Sequence, residues 1–294
     1  MYSQITANKN KTWILIAIFI ALICVLGYFI GYVSDYGNGI VVVAMAFSII
    51  MALFGYFAGD KVALMTSGAQ FISKQESPYV YRMVENLCIA AGMPMPKIHV
   101  IDSPAINAFA TGRDPNHSSI ALTTGAISKL ENEELEGVIA HELSHIQNYD
   151  IRVMTIVIIL VGMVSIIADW FFRISIFGGR KSEGDKGGGI LAIIGIVLII
   201  VSPIVSQLIK LAISRKREYL ADASGALLTR YPQGLANALE KIKNDNSPLE
   251  EATTATAHLY ISNPFKNRGR FLAAIFSTHP PIEDRILKLR QMAS

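Results

Sequence analysis

The chain has 294 residues, a formal net charge of +3, 52% hydrophobic residues and 17% charged residues. So small a charge, with no basic block interleaved with aromatics, argues against a nucleic-acid-binding protein, and the absence of a GxxxxGK[ST] run argues against a nucleotide site. The two cysteines, Cys24 and Cys88, form no CxxC pair, which excludes a thiolate metal cage and a disulfide framework; both read as buried free thiols.

Four apolar runs, residues 13–32, 40–58, 153–172 and 190–213, are long enough to cross a bilayer, which takes about 20 residues. The first is too long for a signal-peptide apolar region and has no small-residue cleavage site after it. Lys9 and Lys11 precede it, the link 34–39 carries no lysine or arginine, and Lys61 follows the second run. By the positive-inside rule the N-terminus and everything after Asp60 face the cytoplasm. The second pair is expected to cross as well, against the charge of its glycine-rich loop, 178–189, where Arg180, Lys181 and Lys186 sit on the side that should be poor in them. Pro203, Ser206, Gln207 and Lys210 interrupt the fourth run.

Between the pairs, residues 97–101 and 118–122 alternate like short strands, with Asn107 to Gly112 between them. A helix follows. Asn132 suits its N-cap, Glu133 and Glu134 suit the positive first turn, and Leu135, Val138 and Ile139 form an apolar stripe. That helix carries His141-Glu142-Leu143-Ser144-His145. Residues four apart share a helix face, so both imidazoles can grip one zinc ion, and Glu142 can take the proton of a water beside it. Two surface histidines flanking a salt-bridging glutamate is the bland alternative, and the helix pattern around the motif disfavours it.

Two histidines leave zinc short of a protein ligand. The metzincin positions for a third hold Asn148 and Ile151, which excludes that solution. Asp150, five residues past His145, projects roughly 140° around a continuous helix and faces away, a helix-end carboxylate near the membrane. Beyond the second apolar pair, Glu218 and Asp222 lie four apart on one face. In a gluzincin site Glu218 is the third ligand and Asp222 orients a ligand histidine. The ligand set is then His141, His145 and Glu218, with one Zn2+ per chain and Glu142 as general base. Both helices abut the apolar hairpin, so that hairpin makes zero crossings or two, and the site lies close to the bilayer surface.

Four separated motifs now carry a resemblance: Ile106-Asn107-Ala108-Phe109-Ala110-Thr111-Gly112, the HExxH run, Ser214 through Asp222, and Thr278-His279-Pro280-Pro281. In this order, with both hairpins, the chain resembles the HtpX-like gluzincin peptidases, bacterial membrane-bound zinc proteases induced by heat shock. The resemblance covers essentially the whole chain. It implies a mainly α-helical, multi-pass membrane protein with a small β-sheet and a zincin-like α+β protease domain. It also implies an endopeptidase on the cytoplasmic face of the plasma (inner) membrane, acting in membrane-protein quality control with a functional link to a membrane ATP-dependent protease. The divisions expected are an N-terminal hairpin at 1–60, protease segments at 61–150 and 214–294, and a second hairpin at 151–213.

The resemblance places Asn107, Ala108, Phe109 and Ala110 on or beside an edge strand that pairs with substrate backbone, a sequence-blind mode of recognition. It places His279 near the site, where an imidazole donor can stabilise an oxyanion or pack a loop. Arg285, one turn into a helix starting near Ile282, faces the same region as a structural residue. His99, His117 and His258 read as ordinary strand, loop and surface histidines. With no unfolding motor of its own, such an enzyme takes unfolded or damaged membrane-protein segments. The alternatives are a CAAX-type prenyl-protein protease, which has more spans, a non-catalytic membrane scaffold, which would be expected to lose Glu142 or a ligand, and an intramembrane protease, which would bury HExxH in an apolar span.

Overall fold

The computed structural model describes residues 2–33, 37, 39–177, 215–249, 256, 259–261 and 280–292. The glycine-rich loop, the fourth apolar run, His258 and His279 lie outside the described residues. Two long apolar helices open the chain, α1 (Tyr2–Val33) and α2 (Gly39–Thr66). Both are long and apolar enough to cross a membrane, over Gln4–Phe29 and Gly39–Thr66. At 32 residues α1 is about 48 Å long, more than the ~30 Å hydrocarbon core, so its polar first turns extend past the apolar stretch that begins at Trp13. Trp13, Ile14, Val25, Val43, Ile50 and Phe54 are exposed, as expected of side chains that face lipid rather than protein.

The opposite faces are packed. Leu15, Phe19, Leu22 and Leu26 of α1 join Val153, Ile156, Val157 and Leu160 of α6 (Asp150–Phe177) in one apolar cluster. Helices in lipid gain little from apolar burial and associate through close fit, for which small residues are suited. Gly55 and Gly59 of α2 supply it: a Cβ on either would stand 2.8 Å from Ile159 Cγ2 or 2.7 Å from Thr155 Cγ2, closer than such atoms approach. The third apolar run is therefore part of one three-helix assembly with the N-terminal hairpin.

The sheet has four strands in the order β1-β2-β4-β3: β1 (Gln70–Phe71), β2 (Lys97–Ile101), β3 (Ala108–Asp114) and β4 (His117–Thr123). It is mixed, with β2 parallel to β4 and the other pairs antiparallel. The two expected strands and the segment after Asn107 all lie in it, and β3 is an edge strand. Ala108 and Ala110 face the core under α5 (Asn132–Gln147), whereas Phe109 faces Met154 and Ile158 of α6. Around the sheet lie α3 (Pro78–Ala91), α4 (Thr124–Lys129), α7 (Arg215–Thr229), α8 (Pro232–Asn244) and α9 (Ile282–Met292).

The α5 helix runs through the middle, buried from Glu134 to Ile146 apart from Glu136, with Leu135, Val138 and Ile139 at 1% exposure or less. Its N-cap is Glu131 rather than Asn132. A capping box joins the Glu131 and Glu134 side chains to each other's backbone, and Asn132 instead accepts from the Tyr79 hydroxyl at 2.9 Å. One cysteine expectation is also corrected. Cys88 is buried in α3, and burial pushes its thiol up to about 11, but Cys24 is only half-buried on α1.

Candidate metal centre

The site forms where α7 meets α5. Glu218, Asp222 and Gly225 recur at four and three residues, one face of α7, and that face is turned on α5. At Gly225 a Cβ would lie 3.0 Å from the His141 backbone nitrogen, a tight contact that would push the two helices apart by a few tenths of an ångström, so glycine favours this close approach. The approach carries Glu218, two turns earlier, to the imidazoles. His141 Nε2 and His145 Nε2 are 3.2 Å apart with the rings nearly perpendicular, and the Glu218 carboxylate lies 3.8 and 3.6 Å from them.

These three residues can hold a metal ion: one donor from each falls within 4.8 Å of the others, and all three are buried. The donor set and spacing fit zinc. Nitrogen ligands at 2.0–2.1 Å from a tetrahedral ion stand ~3.3 Å apart, close to the spacing of the two Nε2 atoms. Two imidazoles and a carboxylate, turned on one point in a dry interior, are otherwise a costly arrangement.

Each imidazole has a carboxylate behind it. Asp222 Oδ1 is 3.0 Å from His141 Nδ1, and Asp150 Oδ2 is 3.0 Å from His145 Nδ1. Such carboxylates set the tautomer and aim Nε2 at a metal. The Asp150 contact overturns the expectation that this residue faces away. Here α5 ends at Gln147, Tyr149 takes the left-handed conformation at φ 61°, and α6 leaves at 80° to α5. The break returns Asp150 to His145, which no projection of a continuous helix allows. Asp150 is not among the clustered donors, so its place is behind the ligand.

Arg285, 1% exposed, enters from the first turns of α9. It donates from Nε and Nη2 to the two oxygens of Asp222 at 2.9 and 2.7 Å and from Nη1 to the Ile261 carbonyl at 3.2 Å. Its Nη1 also stands 3.8 Å from Glu218. The sequence places Arg285 near the site but offers no sign of this fork.

These charges set the protonation of the centre. Burial, aided by Arg285 and His145, holds His141 below the ordinary histidine value against the pull of Asp222. Burial also opposes charge on His145, but the bond to Asp150 and the carboxylates of Glu218, Asp150 and Glu142 outweigh it and raise His145 to about 9. Burial pushes Glu142 up to about 7, against His145, Arg285 and the Ala110 amide, which donates to its carboxylate. Asp222 is lowered to about 2, burial being overcome by Arg285 and His141.

A pH dependence follows for protein stripped of metal. Metal binding requires a neutral imidazole, and His145, at about 9, carries a proton at neutral pH that the incoming ion must expel. Zinc affinity should therefore rise about tenfold per pH unit from neutrality and level off near pH 9, with uptake releasing protons into weak buffer. Titration calorimetry in buffers of different ionisation enthalpy checks this; affinity that is flat from pH 7 to 9 would contradict the charge assigned to His145.

The Ala110 amide ties the edge strand to the site. Along the side of β3 away from β4, Ala108 O accepts from Ile261 N at 3.1 Å and Gly112 N donates to Thr155 Oγ1 at 3.2 Å. Asn107 is buried, its amide donating to Thr123 Oγ1 at 3.0 Å while its side-chain oxygen accepts from Ala108 N at 3.1 Å. Phe109 packs edge-on against the fully buried Tyr260. Outside the site, His99 lies buried in β2 and His117 opens β4, its ring 2.8 Å from Asp114.

A helix bearing HExxH under an edge strand, with a glutamate from a second helix beside the histidines and two membrane-capable helices, describes a membrane metalloprotease. Residues 74–293 match the model of peptidase family M48, and the chain belongs to that family. It is 45% identical over 291 residues to a "Protease HtpX homolog" of Dictyoglomus thermophilum, covering 99% of this chain and 94% of the relative. A protein of the same description from Tropheryma whipplei is 43% identical over 299 residues, covering 100% and 99%. The crystal structure of S. mikatae Ste24p shares the fold at a TM-score of 0.51 and 19% identity, over 98% of this chain and 67% of that one.

Proposed function

We propose that this membrane metalloprotease is a zinc endopeptidase whose site faces the cytoplasm at the plasma membrane, and that it cleaves unfolded or damaged segments of membrane proteins in stress-related quality control. The observation that carries the reading is the convergence of His141, His145 and Glu218 on one point, with Glu142 buried beside them and bonded to the backbone of the edge strand. In this reading the three converging residues are the ligands, and Asp222 and Asp150 orient the two imidazoles.

When bound, zinc supplies the Lewis acidity that acidifies a water and polarises a peptide carbonyl. The Glu142 carboxylate takes a proton from the attacking water and returns it to the leaving amine as the C–N bond breaks. Glu142 is buried beside the three ligands, placed to accept a proton and to release it again. Of the four residues proposed for substrate contact, Ala108 and Ala110 turn their main-chain groups to the side of the sheet away from β4, while Asn107 and Phe109 turn theirs to β4; main-chain pairing is therefore proposed at Ala108 and Ala110, and at Ala108 it requires the Ile261 amide to yield the carbonyl. His279 is proposed to act near the same place. Asn8, on the polar start of α1, touches Asp150, and five residues later the apolar run begins, ~7.5 Å along the helix. The centre thus lies at the membrane surface, within reach of segments that have slipped out of the bilayer, and a membrane ATP-dependent protease is the natural partner for substrates that must be pulled.

The lysines that flank the hairpin support the cytoplasmic orientation, with four crossings expected in all. Inverted membrane vesicles, which present the cytoplasmic face, should cleave added casein and a detergent-dispersed membrane protein. A chelator should stop this and zinc restore it, and sealed right-side-out vesicles should leave the same substrates intact. Cleavage by right-side-out vesicles alone would reverse the orientation, and cleavage indifferent to chelator would remove the metal from the chemistry.

A further inference from the structure

The polar start of α1 reaches the metal centre. Asn8 is 3% exposed, and its side-chain amide donates to the Asn148 carbonyl at 2.8 Å and to Asp150 Oδ1 at 2.7 Å. The other Asp150 oxygen lies 3.0 Å from Nδ1 of His145, so one carboxylate separates Asn8 from the imidazole. The two acceptors account for both hydrogens of a carboxamide. One acceptor belongs to the residue at the C-cap of α5, among the carbonyls that lose their helical donors where a helix stops. The next residue, Lys9, places its ammonium 4.6 Å over the ring of Tyr149, the left-handed residue of the break, and Arg152 faces that ring from 5.0 Å. Arg217 Nη1 stands 3.4 Å from the same Asp150 oxygen that Asn8 holds.

The break between α5 and α6 is what returns Asp150 to His145, and contacts from α1 brace it on both acceptors. We propose that Asn8 is a positioning residue of the metal centre: it fixes Asp150, and with it the tautomer and aim of the His145 imidazole. The N-terminal membrane helix is then part of the metal site as well as an anchor, although Asn8 lies 142 residues from Asp150 in sequence. The proposal rests on the reading of His141, His145 and Glu218 as ligands. An amide suits the place: serine brings one donor for two acceptors, and aspartate would set a second carboxylate against Asp150.

The test uses the full-length protein in detergent. Zinc affinity is measured by competition with a chromophoric chelator, and the visible spectrum of the cobalt-loaded protein reports ligand geometry. Asn8→Ala should weaken zinc about tenfold, the lower end of what partners of metal ligands contribute, and alter the cobalt bands. Asn8→Ser should fall between it and the wild type. The control is Thr12→Val. Thr12 is equally buried on the next turn of α1 and, among the described residues, its hydroxyl bonds only to the Asn8 carbonyl, at 3.0 Å, so its loss should lower the melting temperature and leave zinc affinity unchanged. On an Asp150→Ala background, Asn8→Ala should add nothing further, since the path to His145 is already cut. Wild-type zinc affinity and cobalt spectrum in Asn8→Ala or, should that variant not fold, in Asn8→Ser would overturn the proposal, as would equal weakening in Thr12→Val or full additivity with Asp150→Ala. A wild-type protein that takes up no zinc overturns the ligand reading itself, which separates the two failures.

Discussion

Glu142→Gln should abolish proteolysis and leave metal binding intact. The amide has the size and shape of the carboxylate and can still accept from the Ala110 amide through its oxygen, so the packing between β3 and α5 survives. What it lacks is a basic oxygen, and the loss of a positioned general base typically costs about 10²–10⁴ in rate. Glu142 is 2% exposed. The contrast is Glu218→Ala, which should lose both activity and zinc, because it removes one of three converging donors. Metal content by mass spectrometry, read beside casein hydrolysis, separates the two effects. Near wild-type cleavage by Glu142→Gln at normal metal content would take the general base away from this residue, and full zinc retention by Glu218→Ala would take away the third ligand.

What could be read from the sequence follows from which rules are local. The i, i+4 spacings that join His141 to His145 and Glu218 to Asp222 depend only on helix geometry, and the structure turns both faces on one point. The strand pattern at 97–101 and 118–122 depends only on alternation, and both segments are strands. Asp150 shows where such rules stop. Its projection assumes that the helix continues, and neither glycine nor proline marks the break. Tyr149 adopts a conformation that a tyrosine rarely takes, and contacts from Asn8, Lys9 and Arg152 accompany it there. The contacts from Asn8 and Lys9 join residues more than a hundred positions apart and leave no periodic trace. Arg285 is a partial case: the sequence places it near the site as a structural residue, but its fork on Asp222 arises only from the packing of α9 on α7 and α8, which buries it. The cap at Glu131 was hidden for a smaller reason, since the box with Glu134 uses a glutamate where serine, threonine, aspartate or asparagine is the usual choice.

The second large effect is expected at that arginine. Arg285→Met fills a similar volume and removes the only positive side chain within bonding distance of Asp222 among the described residues. It leaves Asp222, Glu218 and Glu142 buried together without the guanidinium that offsets them. Breaking a buried charged pair by removing one partner costs about 3–5 kcal/mol, a large share of the 5–15 kcal/mol that hold a typical domain together. Part of the loss should be recoverable. A divalent cation bound by His141, His145 and Glu218 replaces some of the missing positive charge, and a ligand that binds only the folded state stabilises it by about 4 kcal/mol at a thousandfold excess over Kd. The variant should therefore melt well below the wild type after chelation, and zinc should raise its melting temperature by more than it raises that of the wild type. Arg285→Lys keeps a point charge but not the fork that meets both Asp222 oxygens, so it should fall between the two. Thermal unfolding in detergent with zinc and with chelator reads all three. An Arg285→Met protein as stable as the wild type without metal would mean that the three carboxylates share protons instead of charge, and the electrostatic account of this centre would have to be rebuilt around them.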